Sequence, residues 1–289
     1  MGLNFSIEWL AGRFGVEVKD IDVPRISDEE LKHLLVNLYE HRVVVLRTRG
    51  LTKEEFVAFS RRVGDPIRLS RNTDDYPEIA LITNVDKDTA KEKRGAAHWH
   101  TDQSFKEEVS SVTMLYSVQA PSSGGETLFC DMMAAYEALD ETVQERIDGL
   151  IVEHRHGISV AARPDDYTPV PPKGWDGNTT VYHPLVIRHP VTRKKTLYAV
   201  TGTSQGIKGM GQAEAEKLLK ELCDHAFQDR FITQHTHSVH DVVMWDNHST
   251  MHSATPIAAA TGPHDTRYIH RISVRGIPSV FSSSTLTNP

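Results

Sequence analysis

His98-Trp99-His100-Thr101-Asp102-Gln103-Ser104-Phe105 places an imidazole and a carboxylate two residues apart. On a strand edge or in a tight loop, residues i and i+2 share a face, so His100 and Asp102 aim at one point that suits a metal. One His and one carboxylate do not complete such a site. The facial triad of non-haem Fe(II) chemistry needs two His and one carboxylate on one side, with the other positions open. A second imidazole has to come from elsewhere, and His235, His237, His240, His248, His252, His264 and His270 are the candidates. Spacing alone does not choose among them. His248 and His252 are spaced like a helical zinc pair, but no Glu follows the first His as it does in H-E-x-x-H, so a zinc-protease reading is weak. His98 shares the parity of His100 without completing any motif.

Working outward, the composition restricts what this stretch can belong to. The chain has 289 residues, 39% hydrophobic and 25% charged, values of a soluble globular protein with one large core or two small ones. A formal charge of -7 argues against a protein that grips nucleic acid. No apolar run approaches a bilayer span, and Met1-Gly2-Leu3-Asn4-Phe5 lacks the features of a signal peptide, so a cytoplasmic protein with no membrane contact is expected. Only Cys130 and Cys223 are present, far apart and without a C-x-x-C, which leaves any metal to N and O ligands.

The flanking segments alternate between helix and strand signals. Ser27 and Glu30 have the spacing of a capping box ahead of Leu31, Leu34, Leu35 and Leu38, which predicts a helix ending near His41. A buried strand follows at 43–46. Thr52 and Glu55 open a second helix with Phe56 and Phe59 on one side, stopped by Gly64-Asp65-Pro66. Strands are predicted at 112–118 and 127–130 around the turn Pro121-Ser122-Ser123-Gly124-Gly125. The apolar spacing of Ala135, Leu139, Val143 and Ile147 predicts one helix from Met132 to about Leu150. Paired strands at 183–190 and 196–200, an amphipathic helix at 213–227 and strands at 232–237, 242–247 and 268–274 complete the chain.

Many short strands with helices mostly elsewhere favour a closed or sandwiched antiparallel architecture over a doubly wound parallel sheet. One domain is expected over 1–289, with 278–289 as a flexible tail. The polar segments 67–95 and 160–180 read as solvated loops or as lids over a ligand. Arg68 and Arg71, in the first of them, can reach an anionic ligand, although an isolated loop Arg more often faces solvent.

Met244-Trp245-Asp246-Asn247-His248-Ser249-Thr250-Met251-His252-Ser253-Ala254 raises His252 above the other candidates. Here the chain resembles the iron- and 2-oxoglutarate-dependent dioxygenases of the taurine dioxygenase and 2,4-dichlorophenoxyacetate dioxygenase family. The blocks match in order: Trp99-His100-Thr101-Asp102 with Ser104-Phe105, Gly124-Gly125-Glu126-Thr127, then Trp245-Asp246-Asn247 with His252, Arg267 and Arg271. A bare H-x-D is weak; this ordered set is specific, and the resemblance runs over most of the chain.

The resemblance implies a mainly β fold with flanking helices around a double-stranded β-helix core, of the jelly-roll, cupin-like kind. It implies Fe(II) on His100, Asp102 and His252, O2 as co-substrate, and a 2-oxoglutarate whose distal carboxylate meets Arg267 and the Thr127 hydroxyl. Arg offers a planar fork for a carboxylate that Lys cannot copy. Arg271, on the same strand face as Arg267, is assigned to an anionic substrate group or to the 2-oxoglutarate carboxylate beside the metal. Arg68, Arg71, His156 and Gly202-Thr203-Ser204 fall in segments that line the substrate cavity in relatives. His248 stands where relatives often carry Arg, and family members are commonly homodimers or homotetramers.

Glu126-Thr127-Leu128-Phe129-Cys130-Asp131-Met132 and Val242-Val243-Met244-Trp245 lean toward the chlorophenoxyacetate branch. The expected substrate is a small anionic carboxylate such as an aryloxyalkanoate, hydroxylated and then cleaved where the product falls apart. The alternative is a taurine-like alkylsulfonate or a sulfate ester. A halogenase is disfavoured because Asp102 retains the carboxylate ligand. A zinc hydrolase using the same donors leaves Thr127 and Arg267 without a role, a non-catalytic cupin-like binding protein keeps the architecture without turnover, and neither consumes 2-oxoglutarate.

Overall fold

The computed structural model describes residues 4–68, 75–85, 97–157, 159–162 and 179–281. Arg71, most of the expected lids and the irregular stretch 164–178 lie outside the described residues. The strands are, in chain order, β1 Ser6–Trp9, β2 Val16–Lys19, β3 Val43–Arg47, β4 Asp65–Pro66, β5 Ala80–Thr83, β6 Val112–Gln119, β7 Thr127–Asp131 and β8 Ile151–His154. They continue as β9 Val181–Pro184, β10 Val186–Arg188, β11 Lys195–Leu197, β12 Ser204–Ile207, β13 Ile232–His235, β14 Asp241–Asp246, β15 Thr250–Ala254 and β16 Tyr268–Arg275. The helices are α1 Asp28–His41, α2 Lys53–Val63, α3 Met132–Glu137, α4 Glu141–Ile147 and α5 Gln212–Ala226.

The major sheet runs β1-β2-β3-β14-β6-β16-β4, with β5 also on β16, and a minor sheet runs β13-β7-β15. Among the described residues the ladders are antiparallel except that between β2 and β3. The period of two along each strand sorts the side chains into layers. Val44, Leu46, Met114, Tyr116, Val242, Met244, Ile272 and Val274 pack under α1 and α2 on the outer face of the major sheet. Their neighbours Val43, Val45, Leu115, Val243, Trp245 and Ile269 meet Phe129 of the minor sheet on the inner face. Cys130 and Met251, on the other face of the minor sheet, pack against Leu218, Leu219 and Leu222 of α5. This is the jelly-roll sandwich, with a helix layer outside each sheet and a site in the space between the sheets.

Both capping boxes form: Ser27 Oγ and Thr52 Oγ1 accept from the amides of Glu30 and Glu55, whose carboxylates return to the cap amides. Leu31, Leu34, Leu35 and Leu38 are fully buried, each worth about 1.5–3 kcal/mol as an upper estimate. The single helix expected over 132–150 is instead α3 and α4, with β8 following directly. Asp140 takes the cap position of α4, and Gln144 Nε2 donates to the carbonyls of Tyr136 and Leu139, closing the break. The apolar period survives across the break because both short helices bury the same side. The start of the expected tail is also ordered: Ser279–Phe281 forms a 3-10 turn, and Phe281 packs on Tyr39.

Candidate metal centre

Two of the three expected ligands are bridge partners. The His100 amide donates to the His252 carbonyl at 3.0 Å and the His252 amide returns to the His100 carbonyl at 2.9 Å. His252 is on β15 between Met251 and Ser253. Because Met251 is buried toward α5, alternation turns His252 to the inner side, where Trp245 lies with its ring centre 4.6 Å away. Asp102 follows two residues after His100, and its Oδ1 is 3.7 Å from Nε2 of both His100 and His252. The three donor atoms lie within 4.8 Å of one another, an arrangement that one divalent ion can span.

The surroundings fix how each ligand presents itself. His100 Nδ1 is 2.9 Å from the His98 carbonyl; a carbonyl only accepts, so Nδ1 carries the proton and the Nε2 lone pair faces the centre. His98 therefore serves through its backbone. Thr113 Oγ1 donates to Asp102 Oδ2 at 2.6 Å, Asn247 Nδ2 donates to Thr113 Oγ1 at 2.9 Å, and Trp245 Nε1 donates to Asn247 Oδ1 at 3.0 Å. With its one proton committed to Asp102, Thr113 receives the Ser273 hydroxyl at 3.0 Å as an acceptor.

Burial, with the other imidazole, pushes His100 down to about 3, and burial pushes His252 down to about 4. Burial works to raise the Asp102 carboxyl, but the Arg271 guanidinium, the two imidazoles and the Thr113 hydroxyl hold it below the usual carboxylate range. Neutral imidazoles and an ionised carboxylate are the forms that bind Fe(II). Thr113→Val, which removes the donor that orients Asp102, is expected to weaken Fe(II) affinity about 10–100-fold with the fold retained. Metal titration followed by calorimetry checks this, and unchanged affinity would count against the orienting role.

Arg267, immediately before β16, is 6% exposed. Its amide donates to Asn84 Oδ1 at 2.7 Å, and Asn84 Nδ2 ties down the carbonyls of Ala258 and Asp265. The Arg267 stem crosses Gly125, where a Cβ would stand 2.9 Å from Cδ and 3.1 Å from Nε, at a φ of +70°. That close approach is the physical content of the Gly124-Gly125 pair. Glu126, the neighbouring carboxylate, is engaged by the Thr255 hydroxyl and the Gly124 amide. Burial lowers Arg267 to about 10, offset in part by Glu126, and its buried Nε has no hydrogen-bond partner among the described residues. An enclosed guanidinium whose Nε–H no described residue accepts fits an anionic ligand. Thr127, 3% exposed on β7, is inward like Phe129 two residues on. Arg271 is inward on β16 with Ile269 and Ser273, its Nη2 2.7 Å from Asp102 Oδ1.

Three further expected positions fall among the described residues. Arg68 is exposed in a surface groove with Arg61, Arg62, Glu78 and Arg275, a groove that no triad residue lines. It follows β4, which pairs with the Val274–Arg275 end of β16, and the Ile67 amide before it donates to the Ser273 carbonyl at 2.8 Å. His156 is half-buried with its ring against Phe105, and Thr203 is tied to Ser104 at 2.7 Å and His154 at 3.0 Å.

A second His-Asp-His group, His189, Asp246 and His248, lies on the outer face of the major sheet, where His189 packs on Tyr39 of α1. His189 Nδ1 accepts the amides of Val191 and Thr192 at 3.1 and 3.0 Å. Its Nε2, 3.0 Å from Asp246 Oδ2, therefore carries the ring proton and offers no lone pair to a metal. His248, with Nδ1 3.4 Å from Asp246 Oδ1, helps compensate that buried carboxylate.

Thr113 was not singled out by sequence reasoning as part of the site, and Asn247 and Gly202 appeared only inside quoted stretches, without the contacts they make here. Alternation on β6 is the signal that puts Thr113, Leu115 and Ser117 on one face, but it does not say that Asp102 lies opposite.

The family model for taurine catabolism dioxygenase TauD, TfdA family matches residues 6–273. The chain is 33% identical over 261 residues to the α-ketoglutarate-dependent 2,4-dichlorophenoxyacetate dioxygenase of Cupriavidus pinatubonensis, covering 83% of this chain and 88% of that one. It is 30% identical over 265 residues to the (S)-phenoxypropionate/α-ketoglutarate-dioxygenase of Sphingobium herbicidovorans, covering 89% and 91%. Among solved structures, that of AAD-2 in complex with Mn(II) and N-oxalylglycine superposes with a TM-score of 0.78 at 26% identity, covering 95% of this chain and 98% of the other. No helix among the described residues is long and apolar enough to cross a membrane. The matched span, the shared fold and the convergent His-Asp-His donors together establish that this chain belongs to the taurine catabolism dioxygenase TauD, TfdA family, as a dioxygenase dependent on iron, 2-oxoglutarate (α-ketoglutarate) and O2.

Proposed function

We propose that the chain hydroxylates a small carboxylate of the aryloxyalkanoate class, with Fe(II) on His100, Asp102 and His252, the distal carboxylate of 2-oxoglutarate on Arg267 and Thr127, and the substrate anion on Arg271. The observation that supports this most directly is the enclosed Arg267 guanidinium, whose Nε has no partner among the described residues, at the parity of inward-facing Ile269 and Arg271. Two relatives named for phenoxy acids support the carboxylate class.

When bound, the iron supplies oxidative decarboxylation of 2-oxoglutarate to succinate and CO2, coupled to hydroxylation of a substrate C–H bond. This chain's residues supply position. Asp102, ionised and held through Oδ2 by Thr113, keeps Oδ1 at the metal edge. Trp245 walls the centre behind His252 and excludes water from that side. Arg271 holds its guanidinium at that edge through Asp102 and Ser273, with its side chain 23% exposed, so an entering anion can meet it there. A substrate carbon that also bears the ether oxygen becomes a hemiacetal on hydroxylation and collapses to a phenol and a 2-oxo acid.

Anaerobic titration of the Fe(II)-loaded protein with 2-oxoglutarate, followed by its visible charge-transfer band, tests the co-substrate site. Arg267→Leu is expected to raise the Kd about 100-fold, the usual loss when one partner of a desolvated charge pair is removed. Succinate release is then measured over a panel of aryloxyalkanoates, alkylsulfonates and sulfate esters. Turnover of sulfonates or sulfate esters alone overturns the carboxylate assignment.

A further inference from the structure

His237 is a buried imidazole, 5% exposed, that the site as described does not use. It follows β13, whose His235 is in register with Thr127 of β7. Its Nε2 is 3.0 Å from Thr127 Oγ1 and its Nδ1 is 3.2 Å from Ser117 Oγ on the inner face of β6. His235 meets it edge-on at 5.1 Å and stands 3.3 Å from Asp241 Oδ2, which also pairs with Arg47 at 2.6 Å. Burial first, then the charges of Arg267 and His235, hold His237 well below the ordinary imidazole range, so the ring is neutral at physiological pH.

A neutral imidazole has one donor and one acceptor, and a Thr hydroxyl has one proton. Two proton orders are therefore open. If Nε2 accepts from Thr127, the only Thr127 proton is consumed and lone pairs alone face the cavity, which repels an anion. If Nε2–H donates to Thr127, that hydroxyl proton stays free to point at an anion, and Nδ1 accepts from Ser117, which has a proton to give. Only the second order suits a carboxylate beside Arg267.

We infer that His237 is a positioning residue that holds the Thr127 hydroxyl as a donor to the distal carboxylate of 2-oxoglutarate, through Ser117 Oγ–H to Nδ1 and Nε2–H to Thr127 Oγ1. This rests on the assignment of Thr127 and Arg267 to that carboxylate. Specificity for a diacid is then set partly by a residue that never touches it.

The test is anaerobic 2-oxoglutarate binding to the Fe(II)-loaded full chain, read by the charge-transfer band and by calorimetry. His237→Leu is expected to raise the Kd about tenfold, the size of one well-placed hydrogen bond to a charged group. His237→Gln, whose amide N–H reaches a similar point, is expected to recover to within about threefold of the natural protein. In a Thr127→Val background, His237→Leu is expected to add nothing further, because the hydroxyl it acts through is gone. Steady state is expected to show a raised KM for 2-oxoglutarate with kcat nearly unchanged.

Equal losses for Leu and Gln, or full additivity with Thr127→Val, overturn the inference. If His237→Leu does not fold, Ser117→Ala, which removes the donor that fixes the tautomer, is expected to raise the Kd about threefold, and an unchanged Kd overturns the inference. If Thr127→Val and Arg267→Leu both leave the Kd unchanged, the carboxylate assignment itself fails. If those two weaken binding and the His237 variants do not, only the role of His237 falls.

Discussion

Asp102→Ala is expected to lose high-affinity Fe(II) binding and to drop 2-oxoglutarate turnover by at least ~10³-fold, since a metal-dependent rate has no fallback once the ion is lost. Asp102 is the one anion of the triad, and its Oδ1 sits 3.7 Å from both imidazole Nε2 atoms. Removing it leaves two neutral imidazoles beside the Arg271 guanidinium, which now stands 2.7 Å from that oxygen. The cation then repels the ion instead of being neutralised. Arg271 also loses its carboxylate partner, which costs about 1–3 kcal/mol of fold stability. Metal content of the purified variant, its succinate release and its urea midpoint read the three effects separately. Iron retained at natural affinity would remove Asp102 from the ligand set, and with it the proposed centre. The contrast with Thr113→Val separates the roles: an orienting residue lowers affinity by a finite factor, whereas a ligand removes the site.

Gly202→Val is expected to cost about 2–4 kcal/mol of stability, from backbone strain and overpacking together, and to weaken Fe(II) binding as well. Gly202 has a φ of +83°, and a Cβ there would stand 2.9 Å from His100 Cβ and 3.2 Å from the Trp99 carbonyl. These neighbours cannot yield easily. The His100 backbone is held by the paired bonds to His252, and Trp99 is stacked on Phe227 with ring centres 4.7 Å apart. Any shift therefore travels into the ligand pair, where small displacements are felt strongly. Thermal unfolding and iron titration are the measurements. A variant with natural stability and natural iron affinity would show that His100 is positioned by something other than this contact.

How far the sequence goes depends on the range of the interaction that carries each feature. The H-x-D pair at 100 and 102 was legible because two residues of one parity need no distant partner to share a face. The capping boxes at Ser27 and Thr52 were legible for the same reason, each being closed within three residues. His252 was not separable by spacing from six other His, and only the motif around Trp245 raised it. What makes it a neighbour of His100 is the bridge between the two backbones. The continuous helix expected over 132–150 failed at Asp140, where two helices with a common buried side imitate one period. Arg68 was expected to reach a ligand because it precedes the central stretch; its side chain is exposed and lines a surface groove, a placement that depends on tertiary packing and not on chain order.

The sequence by itself determined most element types, the antiparallel β character and the donor chemistry of the site, since hydrophobic period, cap residues and side-chain type are local properties. Only the tertiary structure decided which groups meet around the site: Thr113 on Asp102, Asn247 on Thr113, His237 between Ser117 and Thr127, and Gly202 against His100. The physical reason is that these contacts are set by strand register across two sheets, where a shift of one residue turns every side chain to the opposite face.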